Sequence, residues 1–108
     1  MIMHADFRLD GISYDRDSLL SFSHALCNAK NEYQIELGQF LLEWLSDSPD
    51  IKLQTSGSTG KPTEIIAQKS MLAASAMTTI NTLGLLPTQK ALLCLPVRYI
   101  AAKMMLIR

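Results

Sequence analysis

The stretch Leu53-Gln54-Thr55-Ser56-Gly57-Ser58-Thr59-Gly60-Lys61-Pro62 decides how this chain is read. It sets four hydroxyl side chains, two glycines and one lysine in a single short run that ends at a proline. Backbone N–H groups brought close by glycine, hydroxyl donors and one ammonium are the groups that surround phosphate oxygens. On both sides the residues suit strands: Ile51-Lys52-Leu53-Gln54-Thr55 alternates with period two, and Glu64-Ile65-Ile66-Ala67-Gln68 leaves the loop. A strand-loop-strand unit is expected, with residues 55–62 as a phosphate cradle.

Spacing excludes two common phosphate loops. The pattern G-x-x-x-x-G-K-[ST] needs a glycine where Thr55 stands and a hydroxyl where Pro62 stands. Proline at that point also conflicts with a loop running straight into a helix with its hydroxyl on magnesium. The dinucleotide fingerprint G-x-G-x-x-G fails because only Gly57 and Gly60 are present. A flexible Ser/Gly-rich hairpin tip shares the composition. The order Thr-Ser-Gly-Ser-Thr-Gly-Lys-Pro between two strand patterns is much rarer than that composition.

Toward the N-terminus, Phe7-Arg8-Leu9-Asp10-Gly11-Ile12-Ser13-Tyr14 alternates around an Asp-Gly pair, which supplies the positive φ angles of a tight hairpin turn. Leu19, Leu20, Phe22, Ala25 and Leu26 recur at helical spacing and predict a helix over residues 17–29 with Asp17 as N-cap. A second helix is expected after Asn31, with Asn31 and Gln34 at capping-box spacing. Its residues Ile35, Leu37, Phe40, Leu41, Trp44 and Leu45 form a broad apolar face. Burying Trp44 and Phe40 contributes on the order of several kcal/mol, so this face requires a partner surface. Residues 46–50 read as a helix stop and loop.

Toward the C-terminus, residues 70–83 are rich in Ala, Met and Leu and stop at Gly84, with Pro87 preventing continuation. The continuous apolar run Ala91-Leu92-Leu93-Cys94-Leu95 predicts a strand covered on both faces. After Pro96, residues 99–108 read as a helix with Ile100, Met104 and Ile107 on one side. This gives two parts: a hairpin and two helices over 1–50, then phosphate loop, helix, buried strand and final helix over 51–108. The fold class is α/β, with short strands and about four helices. A central strand followed by an uncapped helix is an unfinished α/β unit, so the chain is expected to be the front of something longer.

A chain of 108 residues forms one small domain or part of a larger one. Hydrophobic residues at 48% against 19% charged call for a packed core. Ten basic and ten acidic residues cancel, and no basic block supplies a nucleic-acid footprint. No apolar run is long enough to span a bilayer and the start lacks a signal-peptide layout, so a cytoplasmic location is expected. Cys27 and Cys94 form no C-x-x-C pair, and His4 and His24 have no partner at metal-ligand spacing. No metal-ligating residue is assigned.

Thr55-Ser56-Gly57-Ser58-Thr59-Gly60-Lys61-Pro62 resembles the phosphate loop of the acyl-adenylate-forming ligases, the superfamily of acyl-CoA synthetases, peptide-synthetase adenylation domains and firefly luciferase. A second segment, Leu92-Leu93-Cys94-Leu95-Pro96-Val97-Arg98-Tyr99-Ile100-Ala101-Ala102-Lys103-Met104-Met105, resembles the o-succinylbenzoate–CoA ligases of menaquinone biosynthesis. The resemblance implies the N-terminal part of the large domain of such a ligase, with a mobile loop that closes over the β- and γ-phosphates of ATP. It implies that Thr55, Ser56, Gly57, Ser58, Thr59, Gly60 and Lys61 hold phosphates, and that Lys61 offsets charge on the leaving pyrophosphate. Arg98, Tyr99 and Lys103 become candidate contacts for the carboxylic acid substrate; a packed aromatic at a helix start and a solvated helical lysine are the plain structural readings of Tyr99 and Lys103. ATP with Mg2+, and CoA as co-substrate, are the implied small molecules.

The sequence departs from the family pattern in two respects. Thr63 and Glu64 stand where the family has a basic residue and glycine, which removes a phosphate-directed charge and brings a carboxylate near the loop. Tyr99 and Ala102 occupy positions where many o-succinylbenzoate ligases carry histidine and glycine. The family's adenine, ribose and metal motifs and its mobile C-terminal domain come later in its order. The 108 residues alone are therefore expected to lack ligase activity. Two other readings remain: a non-catalytic remnant that self-associates through exposed apolar surface, and a stand-alone nucleotide- or phosphate-binding module.

Overall fold

The computed structural model describes residues 7–55, 60, 61, 63–86 and 89–108. It divides into two compact units, residues 1–47 and 48–108. The expectations for His4, for Ser56, Gly57, Ser58, Thr59 and Pro62, and for the stop at Pro87 lie outside the described residues.

In the first unit, β1 (Arg8–Leu9) and β2 (Ile12–Ser13) form an antiparallel hairpin in which Leu9 faces Ile12. Asp10 and Gly11, at φ 51° and 78°, make the turn between them. Positive φ at both central residues is the type I′ pattern that suits the twist of a two-residue hairpin. Helix α1 (Arg16–Cys27) follows, and α2 (Glu32–Leu45) packs against it. The N-cap of α1 is Asp15 and not Asp17, which lies in the first turn. Asp15 wins because its partner sits at the right spacing: the Ser18 N–H donates to the Asp15 carboxylate at 2.8 Å, and the Asp15 N–H donates to Ser18 Oγ at 2.9 Å.

Helix α2 starts where the sequence places it. Asn31 caps it by accepting from the N–H groups of Tyr33 and Gln34. Phe40, Leu41, Trp44 and Leu45 are buried, and Phe40 stacks on Trp44 with ring centroids 6.3 Å apart. At the far end of α2, Arg16 Nη2 donates to the Leu45 carbonyl at 3.1 Å, a cation on the negative end of a helix. Within the same unit, Phe22 of α1 stacks on Tyr14 with ring centroids 5.0 Å apart.

In the second unit, β3 (Asp50–Gln54) and β4 (Glu64–Gln68) pair antiparallel, with Lys52 opposite Ile66 and Gln54 opposite Glu64. The period-two pattern puts Ile51 and Leu53 in the core. Burial of each stabilises the fold by roughly 1.5–3 kcal/mol. From β4 the chain turns directly into α3 (Lys69–Leu83), which stops at Gly84 in the left-handed conformation at φ 64°. Helix α4 (Ile100–Ile107) starts after Tyr99 and packs on α3, with Val97 and Ala102 fully buried.

The expected buried strand over residues 91–95 is not formed. The run belongs to neither two-stranded sheet, and Leu92 is 80% exposed. A continuous apolar run suits a strand paired within a sheet and covered on both faces, and this run joins neither two-stranded sheet. Among the described residues, no helix is long and apolar enough to cross a membrane.

Candidate functional site

The β3–β4 hairpin brings the two ends of the 55–62 loop together and closes them with the backbone. The Thr55 N–H donates to the Thr63 carbonyl at 3.0 Å. The Thr63 N–H donates to Thr55 Oγ1 at 3.1 Å, and that hydroxyl lies 3.5 Å from the Thr63 carbonyl oxygen. Thr55 thus serves at the neck of the loop, its hydroxyl engaged by the opposite strand. Gly60 and Lys61 are both exposed beyond this neck. Gly60 sits at φ 129°, a conformation that L side chains rarely adopt and that only glycine enters without strain.

The charge pattern at the neck is set by the register. Lys52 and Glu64 lie diagonally across the two strands, with Lys52 Nζ 3.7 Å from the Glu64 carboxylate. Both side chains are well exposed, so the pair is worth at most about 1 kcal/mol. Its effect on the loop is local. The carboxylate that replaces the expected glycine is turned toward a lysine on β3, which partly offsets its charge beside the neck. Sequence reasoning missed this pairing, because it follows from the register that pairs Thr55 with Thr63 and not from local spacing.

Of the three acid-contact candidates, the structure brings two together. The Arg98 guanidinium carbon lies 5.0 Å from the centroid of the Tyr99 ring, within range of a cation–π interaction. Tyr99 is the N-cap residue of α4, and its N–H donates to the Pro96 carbonyl at 3.2 Å. Lys103, one turn into α4, engages a different element: its Nζ donates to the Lys52 carbonyl of β3 at 3.3 Å. Among the described residues, no group of three or more His, Cys, Asp or Glu side chains could hold a metal ion.

Comparison with known proteins gives one solved structure at high similarity. The chain matches an acyl-CoA synthetase (AMP-forming)/AMP-acid ligase II-like protein from Dyadobacter fermentans with 40% sequence identity and a TM-score of 0.69. The match covers 82% of this chain and 25% of that one, so the chain spans a quarter of the length of the solved protein. No protein-family model matches the chain, and no curated protein matches it. At this identity and TM-score, the mixed arrangement of short strands and helices corresponds to part of an AMP-forming acyl-CoA synthetase fold.

Proposed function

We propose that this chain supplies the ATP-phosphate-binding segment of an adenylate-forming acid–CoA ligase, in the cytoplasm, with o-succinylbenzoate as the acid. The observation that carries the reading is the closed hairpin neck at Thr55 and Thr63, which presents Gly60 and Lys61 beyond two paired strands. The 40% identity to an AMP-forming acyl-CoA synthetase supports the ligase class. The second sequence segment, around Arg98 and Tyr99, supports the choice of an aryl dicarboxylic acid.

In this proposal the reaction joins the carboxylate to the AMP part of ATP and expels pyrophosphate; the CoA thiol then loses its proton and takes the acyl group as AMP leaves. Residues 55–61 hold the β- and γ-phosphates. Lys61 places its ammonium against the charge that develops on the departing pyrophosphate, and the Gly60 backbone lets the chain approach the oxygens. Arg98, kept over the Tyr99 ring, offers a guanidinium to the acid's carboxylate. Magnesium bound with the nucleotide would offset charge on the phosphates.

The matched quarter of the solved chain supports a further part of the proposal, that the 108 residues do not complete turnover by themselves. They bind phosphate, and their exposed apolar side chains promote self-association. The test is a titration of the isotopically labelled chain with Mg-ATP, read by amide NMR. Shifts at Gly60 and Lys61 that saturate, and that weaken on Lys61→Ala, are expected. Lack of any shift at millimolar ATP removes the phosphate-binding role. Acid-dependent pyrophosphate exchange by the isolated chain would overturn the inactivity.

A further inference from the structure

We propose that Lys103 is a positioning residue that fastens α4 to the strand entering the phosphate loop. The geometry starts from the ladder. Thr55 donates its N–H across to Thr63, so Leu53 and Ile51, two and four residues back, also turn their backbone groups toward β4. Lys52, between them, turns its carbonyl to the opposite edge of β3. That is the carbonyl that accepts from Lys103 Nζ at 3.3 Å, across 51 residues of sequence.

The hydrogen bond is charge-assisted, and it meets the sheet at an edge where lysine commonly blocks further strand pairing. Its two ends are well anchored. On α4 the neighbouring Ala102 is fully buried, and on β3 both Ile51 and Leu53 are. A shift of α4 along the strand therefore breaks the bond or moves the core. Arg98 and Tyr99 lie at the start of α4, while Thr55 lies three residues beyond Lys52. The Lys103 bond thus sets the register between the segment offered to the acid and the loop offered to phosphate. Its functional meaning rests on the ligase reading above, whereas the bond itself does not.

The experiment uses the 108-residue chain without nucleotide, so its failure is separable from failure of the ligase reading. Amide hydrogen exchange is compared in the unmutated chain, Lys103→Met and Lys103→Arg. Methionine keeps the stem and removes the donor, so exchange at Ile51 and Leu53 rises about three- to tenfold. Arginine still donates and restores protection, and the amides of α1 and α2 stay unchanged throughout. Unchanged exchange in Lys103→Met, or arginine behaving as methionine does, overturns the proposal. Should Lys103→Met fail to fold, a through-hydrogen-bond NMR correlation between Lys103 Nζ and the Lys52 carbonyl carbon in the unmutated chain decides. Its presence supports the assignment, and its absence at low temperature, where ammonium proton exchange is slow, defeats it.

Discussion

Gly38 marks the close approach of α1 and α2, and its missing side chain is required there. A Cβ at this position would lie 2.7 Å from the Ser23 carbonyl oxygen, 2.8 Å from Leu26 Cβ and 3.0 Å from the Cys27 nitrogen. None of these atoms is the far end of a flexible side chain. Alanine gains about 1 kcal/mol over glycine in helix propensity, while overpacking costs typically about 1–3 kcal/mol. Backbone must move to admit the methyl, so Gly38→Ala is expected to destabilise the chain by roughly 1 kcal/mol and Gly38→Val by more. Urea unfolding curves check both. Asp15 contributes a pH dependence at the same scale. The Ser18 N–H, and then the Ser18 hydroxyl, hold its carboxyl below the ordinary aspartate value. A depressed folded pKa means that the cap's stabilisation is present above the unfolded value, near about 4. It is lost as pH falls through the folded value. Asp15→Asn should flatten that acid limb of the stability curve, and an unchanged limb would show that the cap is uncoupled from folding.

The element that positions the loop was legible because several local signals agreed. Period-two alternation marks β3, the residues after the loop mark β4 to its observed bounds, and Asp10-Gly11 and Gly84 mark the turn and helix end by their positive φ angles. The α1 cap was misplaced by two residues because Asp15 and Asp17 are equally good caps in isolation. Only the reciprocal bond with Ser18 separates them. Residues 91–95 failed for a different reason. An apolar run reports what a segment needs on both faces, and whether a sheet accepts it depends on neighbours that the run does not encode. Register is likewise non-local, which hid the Lys52–Glu64 pair and the Lys103 bond. The neck itself yields a prediction. Thr55→Val keeps the branched shape and the Thr55 N–H bond but removes the oxygen that receives the Thr63 N–H. The hairpin should lose about 0.5–1.5 kcal/mol, with faster exchange at the Thr63 amide and little change at Ile51. Equal exchange at Thr63 in both proteins would mean that the hydroxyl does not close the loop.

Across the whole chain, 48% hydrophobic residues is an ordinary share, but a chain of 108 residues buries a smaller fraction of its surface than a larger domain does. Most of the large exposed apolar side chains lie in residues 48–108. Ile66, Met71, Leu83, Leu86 and Leu92 are each more than 60% exposed. Isolated exposed apolar residues are ordinary, but several large ones within 61 residues favour association. The proposed self-association therefore has a direct physical test. Sedimentation velocity should give a weight-average mass that rises with protein concentration above that of one chain. Ile66 stands on the outward side of β4, and Leu92 lies in the segment that forms no strand. A charged residue at either position, glutamate at 66 opposite Lys52 and lysine at 92, removes little buried contact and should change folding stability by no more than about 0.5 kcal/mol. Ile66→Glu combined with Leu92→Lys should then return the sedimenting species toward a single chain while leaving the circular dichroism spectrum intact. A single-chain mass for the unmutated protein at every concentration would exclude self-association. A double variant that associates as strongly as the parent would instead place the contact on other surface.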